Sequence, residues 1–194
     1  IADTILNNPD MTFVCGGEES YGFLIGDFVR DKDANSACFI IAEIAAWASE
    51  QNKSLYQILK EIYKEFGFYK EGLISLTKKG ISGTEEIKKM MLNFRNEPPK
   101  EILGSKIIEI KDYKTGICRN LISGKETEIN LPKSDVLQFF TEDGTKISVR
   151  PSGTEPKIKF YFGIKAELND INDFDAVNTE LNDRLNELSK LFSE

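Results

Sequence analysis

The spacing of apolar residues changes along the chain. In the first half they recur every three or four positions, and three helices are predicted, over 36–51, 55–66 and from about 82 to 96. One short apolar run, MTFVC (11–15), predicts a buried strand before them. In the second half apolar and polar residues alternate, most clearly in KIKFYFGIKA (157–166), which predicts a strand with one polar face. A last helical stripe predicts an amphipathic helix over 174–192.

The two patterns meet at EPPKEILG (97–104), whose paired prolines cannot continue a helix. We therefore expect an α/β domain over 1–96, a linker over 97–102 and a second domain over 103–194. The second domain also carries an Asp-Gly hairpin signal at 143–144. Alternating strands followed by a helix predict an α+β domain, in which helices cover an antiparallel sheet.

Local signals predict one helix start and two core positions. Ser54, with Gln57 three residues later, forms a predicted capping box at the start of the second helix. Trp47 lies on an apolar helix and Cys15 lies in an apolar strand, so we expect both to be buried.

Composition excludes several classes of function. The 194 residues carry a net charge of −7, which argues against nucleic acid as a partner because phosphate backbones select basic surfaces. There is no histidine, which excludes Ser-His triads and most transition-metal sites. The three cysteines lack metal-ligand spacing, and no apolar run is long enough to span a bilayer. We therefore expect a cytoplasmic protein with no membrane segment and no disulfide framework.

The stretch RPSGTEP (150–156) lies between two predicted strands and contains groups suited to an anion. Gly153 can adopt the positive φ that exposes successive N–H groups as an anion-binding nest. Ser152 and Thr154 add hydroxyls, and Arg150 adds a guanidinium that can form two hydrogen bonds with phosphate. The residues alone leave open an ordinary turn with a solvated arginine.

The stretch GGEESYG (16–22) holds Glu18, Glu19 and Ser20 between glycines. A carboxylate accepts hydrogen bonds from sugar hydroxyls, and a serine hydroxyl can donate or accept, so this loop suits neighbouring ring hydroxyls. A solvated acidic turn is the open alternative.

The stretch VRDKDAN (29–35) begins like a calcium-binding EF-hand loop. Serine and alanine fill the positions where that loop requires glycine and glutamate, so the match fails. Asp33 or Asn35 is more simply the cap of the following helix. Lys32 is then left as a cation near the GGEESYG loop.

GEESYG, VRDKDA and RPSGTEP, in this order, resemble the α-D-phosphohexomutase family, and in particular its α-phosphoglucomutase and phosphopentomutase branch. The resemblance covers essentially the whole chain. It implies a four-domain enzyme of which this chain is a C-terminal fragment, with part of an α/β/α domain three followed by domain four. A phosphorylated serine in domain one and aspartates that hold Mg²⁺ in domain two are implied to lie outside the chain.

The resemblance also implies roles for individual residues. Glu18 and Ser20 are expected to hold ring hydroxyls of the sugar, and Glu19 matches the same motif. Lys32 is expected near the substrate phosphate. The implied phosphate-binding loop comprises Arg150, Ser152, Gly153 and Thr154. Neither a catalytic nucleophile nor a metal ligand is expected within this chain.

We therefore expect part of an intramolecular phosphotransferase, an isomerase of carbohydrate metabolism. It would interconvert hexose 1-phosphate and hexose 6-phosphate through phosphoserine and a bisphosphorylated sugar, with glucose or mannose phosphate as substrate. The chain itself would recognise sugar and phosphate and would be inactive alone. The sequence leaves open a stand-alone, non-catalytic module that binds a phosphosugar or another anion. It indicates neither the preferred sugar nor the oligomeric state.

Overall fold

The computed structural model describes residues 1–18, 22–78 and 80–193, which belong to two compact units, Ile1–Glu61 and Ile62–Glu194. The expected fold class is confirmed, because an α/β unit is followed by an antiparallel sheet with helices. The units divide earlier in the chain than the linker predicted at 97–102, because a strand that precedes this segment pairs within the second sheet. The assignment of the chain to two family domains on either side of that linker stays a prediction.

The first unit contains a short hairpin followed by helices. Its elements are α1 (Ala2–Leu6), β1 (Cys15–Glu18), β2 (Gly22–Ile25), α2 (Ala34–Glu50) and the first part of α3 (Leu55–Phe66). The strand predicted at 11–15 is displaced, since pairing begins only at Cys15 and continues through the glycines. β1 and β2 are antiparallel, with Glu18 opposite Gly22.

The predicted helix caps are confirmed. The Asp33 carboxylate caps α2 by accepting hydrogen bonds from the N–H groups of Asn35 and Ser36, each at 3.1 Å. At α3, Gln57 Oε1 accepts a hydrogen bond from the Ser54 N–H at 2.7 Å, and the Gln57 N–H donates to Ser54 Oγ at 3.2 Å. These bonds satisfy groups at the helix starts that have no partner within the helix.

Few apolar side chains are buried in the first unit. Among its described residues, Leu24, Ala48 and Ile58 form the buried apolar set. Trp47 is 52% exposed and Cys15 is exposed, so the predictions that both are buried are wrong. Within α2, Ala48 is buried and Ile40 and Ile44 on the same side are half-buried, so the bulky Trp47 lies at the edge of the covered side.

The second unit is built on one antiparallel sheet. Its strands are β3 (Phe68–Thr77), β4 (Glu101–Ile102), β5 (Ser105–Asp112), β6 (Ile117–Asn120), β7 (Glu126–Glu128), β8 (Leu137–Thr141), β9 (Lys146–Pro151) and β10 (Lys157–Ala166). Across the sheet the order is β3-β10-β9-β8-β5-β6-β7, and β4 lies beside β5. Two helices accompany it, α4 (Gly80–Asn96) and α5 (Phe174–Ser193), the latter after a 3₁₀ turn at Ile171–Asp173. α4 ends before the paired prolines, as predicted.

The strand β3 was not anticipated from the sequence. It pairs with β10 along its whole length, from Phe68 opposite Ala166 to Thr77 opposite Lys157. Tyr69 and Leu73 on its exposed side are both more than half exposed. Apolar residues therefore fall on both faces of β3, and the alternation that marks a half-buried strand is obscured.

The alternation in β10 determines which face of the sheet is covered. The side chains at most 2% exposed are Ile158, Phe160, Phe162 and Ile164. They share a core with Met91 of α4 and Leu188 of α5, so both helices cover this face. Lys159 and Tyr161 alternate with the buried residues and therefore lie on the opposite face.

Charged side chains also connect the helices to the sheet. Arg95 of α4 places Nε 3.2 Å from Asp112 Oδ2, and Asp112 is only 2% exposed. Arg184 of α5 pairs with Asp143 and donates to Thr145 Oγ1 at 2.7 Å, in the turn between β8 and β9. Both links hold a helix over the same core.

Candidate functional site

The RPSGTEP stretch forms the turn between β9 and β10. Arg150 lies opposite Lys159 in the register of these strands. The turn borders a pocket of about 350 Å³. Its lining includes the four residues predicted for the phosphate-binding loop and three residues of β10: Arg150, Ser152, Gly153, Thr154, Lys157, Lys159 and Tyr161. Lys32, the fifth residue predicted near the phosphate, lies in the first unit. The structure therefore brings the predicted residues of this loop together around one concave surface.

The hydroxyl of Ser152 organises the turn. Its Oγ accepts hydrogen bonds from the N–H groups of Thr154 at 3.4 Å and Glu155 at 3.3 Å. The Ser152 N–H donates to the Lys157 carbonyl at 2.7 Å. A serine hydroxyl thus holds the two amide groups that an anion entering the turn would also approach.

Gly153 does not have the backbone conformation predicted for it. Its φ lies outside the left-handed region, so the prediction of a positive-φ nest at this glycine is wrong. Hydrogen bonds to Ser152 close the turn instead. At the end of the turn, the Pro156 carbonyl accepts a hydrogen bond from the Lys78 N–H at 2.9 Å. A Cβ atom built on Gly153 would meet no atom within 4 Å, so the space beside this glycine is open.

Positive charge dominates the pocket. Lys157 Nζ lies 3.6 Å from Glu155 Oε2, which offsets one cation. In the described part of the chain, neither Arg150 nor Lys159 is paired with a carboxylate. Two uncompensated cations on adjacent strands attract an anion, and the guanidinium of Arg150 can bind two oxygens of one phosphate.

The other candidate loop lies in the first unit, where Glu18 and Lys32 come together. Lys32 Nζ lies 3.6 Å from Glu18 Oε2 and 3.8 Å from Asp31 Oδ1. The side chains of Lys32 and Glu18 are 51% and 42% exposed, so the pair is accessible from solvent. Glu19 and Ser20 lie outside the described residues, and their predicted contact with sugar hydroxyls stays a prediction.

Asp33, next to Lys32, acts in the helix cap. Hydrogen bonds from the side chain and the backbone of Ser36, and from the backbone of Asn35, lower the pKa of its carboxyl group. This carboxylate therefore stays ionised and bound to the start of α2. It fixes the backbone next to Lys32 and offers no free acid or base.

The described residues provide neither a metal centre nor a membrane helix. Residues 1–18, 22–78 and 80–193 contain no group of three or more His, Cys, Asp or Glu side chains that could hold a metal ion. These residues do not fit the Mg²⁺ ion that the family resemblance implies. The same residues include no helix of the length and apolarity needed to cross a bilayer.

Lys159 and Tyr161 lie outside the RPSGTEP stretch, and neither is among the residues predicted for phosphate binding. Both line the pocket, because they are two residues apart on β10 and share the face that carries Arg150. The usable signal was the alternation in KIKFYFGIKA, which places their side chains on the polar face of the strand.

Two protein-family models match the chain, and each match includes one of the two candidate loops. Residues 1–66 match the model described as phosphoglucomutase/phosphomannomutase, alpha/beta/alpha domain III, and residues 85–176 match the C-terminal domain of the same family. The chain belongs to the phosphoglucomutase/phosphomannomutase family. The two matches fall in the order expected from the three motifs.

Individual relatives agree with this assignment. A phosphoglucomutase of Staphylococcus epidermidis is 36% identical over 178 residues, which are 92% of this chain and 32% of that protein. A phosphoglucomutase of Staphylococcus aureus is 40% identical over 165 residues, or 85% of this chain and 29% of that protein. The chain therefore spans about a third of the length of these curated relatives.

A solved structure supports the fold. The exocytosis-sensitive phosphoprotein pp63/parafusin from Paramecium, a phosphoglucomutase in its open form, aligns with a TM-score of 0.54 over 96% of this chain and 33% of its own. The sequence identity is 16%, so this likeness concerns the fold alone.

Proposed function

We propose that this chain is the substrate-recognising C-terminal part of a phosphohexomutase that interconverts hexose 1-phosphate and hexose 6-phosphate. The observation that carries the proposal is the pocket at the β9–β10 turn, where Arg150 and Lys159, which pair with no carboxylate among the described residues, lie beside Ser152 and Thr154. Membership of the phosphoglucomutase/phosphomannomutase family supplies the substrate class, a phosphosugar.

In this proposal the β9–β10 turn binds the phosphate group of the substrate that is not being transferred. Arg150 binds two phosphate oxygens, and the hydroxyls of Ser152 and Thr154 donate to the same group. The N–H groups of Thr154 and Glu155 donate to Ser152 Oγ in the structure, and in the bound state they donate to the phosphate instead. The open space beside Gly153 lets the phosphate approach the backbone.

The first unit supplies sugar recognition. The Glu18 carboxylate accepts hydrogen bonds from ring hydroxyls, with Glu19 and Ser20 completing the loop. Lys32 adds a cation that can pair with substrate phosphate when it releases Glu18. The exposure of both charged groups in the structure suits such an exchange of partners.

The reacting groups are proposed to lie elsewhere in the enzyme. A phosphoserine there would transfer its phosphoryl group to the free hydroxyl of the sugar phosphate, and the resulting bisphosphorylated sugar would return its other phosphoryl group to the serine. The Mg²⁺ ion that the family resemblance implies would be held by residues outside this chain and would supply charge stabilisation there. Phosphoryl transfer depends chiefly on positioning and electrostatics, so this chain contributes the positioning. We propose a cytoplasmic location as well, which the three unpaired cysteines favour.

Turnover of glucose 1-phosphate tests the proposal. The isolated chain should show none, whereas a chimera in which it replaces the matched third of the Staphylococcus aureus phosphoglucomutase should be active. In that chimera Arg150→Ala should lower kcat/KM by about 100-fold, the usual scale for losing a charged hydrogen-bonded partner. Arg119→Ala, which removes an arginine of the same sheet outside the pocket, is the matched control and should be close to the parent.

Two outcomes would contradict the proposal. Equal activity of the Arg150→Ala and Arg119→Ala chimeras would remove the phosphate-binding role of the turn. An isolated chain that binds glucose 1-phosphate, with an inactive but folded chimera, would favour a non-catalytic phosphosugar-binding module.

A further inference from the structure

Gly22 is buried although it lies in a mostly exposed hairpin. It stands opposite Glu18 in the β1–β2 register. A Cβ atom built on Gly22 would lie 2.8 Å from Lys32 Cγ and closer still to Lys32 Cδ. Real Cβ atoms essentially never approach other atoms within 3.0 Å. The aliphatic stem of Lys32 therefore crosses directly over Gly22 and covers it.

The backbone around Lys32 explains why the side chain takes this route. The Asp33 N–H donates to the Phe23 carbonyl at 2.9 Å, which ties the residue after Lys32 to the strand that begins at Gly22. Asp33 also caps α2, so its position is set from both sides. From this anchored point the stem of Lys32 passes over Gly22 to bring Nζ within 3.6 Å of Glu18 Oε2.

We infer that Gly22 is a positioning residue for the sugar-binding loop: the absence of its side chain leaves the channel through which Lys32 reaches Glu18. The functional meaning of this inference rests on the proposed role of Glu18 and Lys32 in substrate recognition. The contacts among Gly22, Lys32 and Glu18 do not depend on that role.

Replacing Gly22 should move the Lys32 amine away from Glu18 without unfolding the chain. With alanine at position 22, the stem of Lys32 has to leave, and it can do so at low cost because the side chain is half exposed and flexible. Exposed ion pairs contribute little to stability, so folding should be almost unaffected. The Lys32 amine, however, should no longer lie beside the Glu18 carboxylate.

Zero-length carbodiimide cross-linking of the 194-residue chain, read by mass spectrometry, tests this directly. The reagent joins a carboxylate to an amine only when they are in contact, so the parent chain should yield a Glu18–Lys32 amide. Gly22→Ala should lose this cross-link while keeping the parent's circular dichroism spectrum and unfolding midpoint.

Gly17→Ala is the matched control, since it makes the same substitution in the same hairpin. Its Cβ would meet ring atoms of Phe23 at 3.1 Å, and that ring is half exposed and able to turn aside. The cross-link should persist in this variant. An unchanged cross-link in Gly22→Ala, or equal loss in both variants, would overturn the inference. Failure of the chain to bind glucose 1-phosphate would count against the proposed function and leave the cross-link result intact.

Discussion

The two units of this chain differ in how far their apolar residues are buried. In the second unit the apolar residues of β10 are sealed under α4 and α5. In the first unit Phe39, Ile41 and Trp47 of α2 are all more than half exposed, and Ala48 is the buried residue of that helix. Helical periodicity shows which face of a helix is apolar, but not whether the same unit contains anything to cover it. Stability measurements on matched substitutions can test this contrast.

The largest effect is expected in the core of the second unit. Phe160 is 0% exposed and packs against Phe94 and Phe192, with ring centroids 6.1 Å and 5.1 Å away. Phe160→Ala should lower the free energy of unfolding by about 3–5 kcal/mol, because it removes buried area and leaves a cavity. Urea unfolding measures this loss.

Trp47→Ala provides the comparison in the first unit. Because Trp47 is 52% exposed, its truncation should cost less than about 1 kcal/mol in the same urea experiment. Similar losses for Phe160→Ala and Trp47→Ala would mean that the first unit is as tightly packed as the second.

The next largest effect concerns the link between α4 and the sheet. Arg95→Ala would leave the Asp112 carboxylate, 2% exposed, without its cation. We expect a loss of about 3 kcal/mol, since breaking a buried ion pair leaves an uncompensated charge. The double variant Arg95→Ala/Asp112→Asn should recover part of it. No recovery would mean that packing of the arginine, and not charge, is what matters.

A smaller, pH-dependent effect is expected at the β8–β9 turn. Burial alone would raise the pKa of Asp143, but hydrogen bonds from Thr141 and Thr145 and the charge of Arg184 outweigh it and lower the pKa from 3.8 to about 2. A carboxyl whose pKa is lowered on folding adds stability above its unfolded pKa and loses it as pH falls through the folded one. After allowance for solvent exposure, about 1 kcal/mol should disappear between about pH 4 and pH 2.

Thermal unfolding across this pH range, with Asp143→Asn as the comparison, measures the effect. The variant should lack the part of the pH dependence that Asp143 provides. Parallel curves for parent and variant would show that this carboxyl does not link acid to unfolding.

The smallest effect on stability is expected at Gly153. Its φ is ordinary and a Cβ there meets open space, so Gly153→Ala should change the unfolding free energy by no more than about 0.5 kcal/mol. Calorimetric unfolding measures this. A loss well above that value would show that the turn requires glycine for its own folding, and not for access by a ligand.

Much of the fold was predictable because the relevant interactions are local. The capping residues Asp33 and Ser54 form hydrogen bonds with groups no more than three residues away. The alternation of apolar and polar residues in β10 is visible in the sequence of that strand alone. β3 and the exposure of Trp47 were not predictable, because they depend on what lies opposite in space. The residue types of the β9–β10 turn were evident, whereas its closure by Ser152 in place of a left-handed Gly153 depends on backbone geometry that no residue type specifies.

The central claim is that the β9–β10 turn binds phosphate. Titration of the ¹⁵N-labelled 194-residue chain with inorganic phosphate, followed by amide NMR, tests it most directly. We expect saturable shifts concentrated at the amides of Ser152, Gly153, Thr154 and Glu155, and their loss in Arg150→Ala but not in Arg119→Ala. Shifts absent from this turn, or present unchanged in Arg150→Ala, would contradict the account.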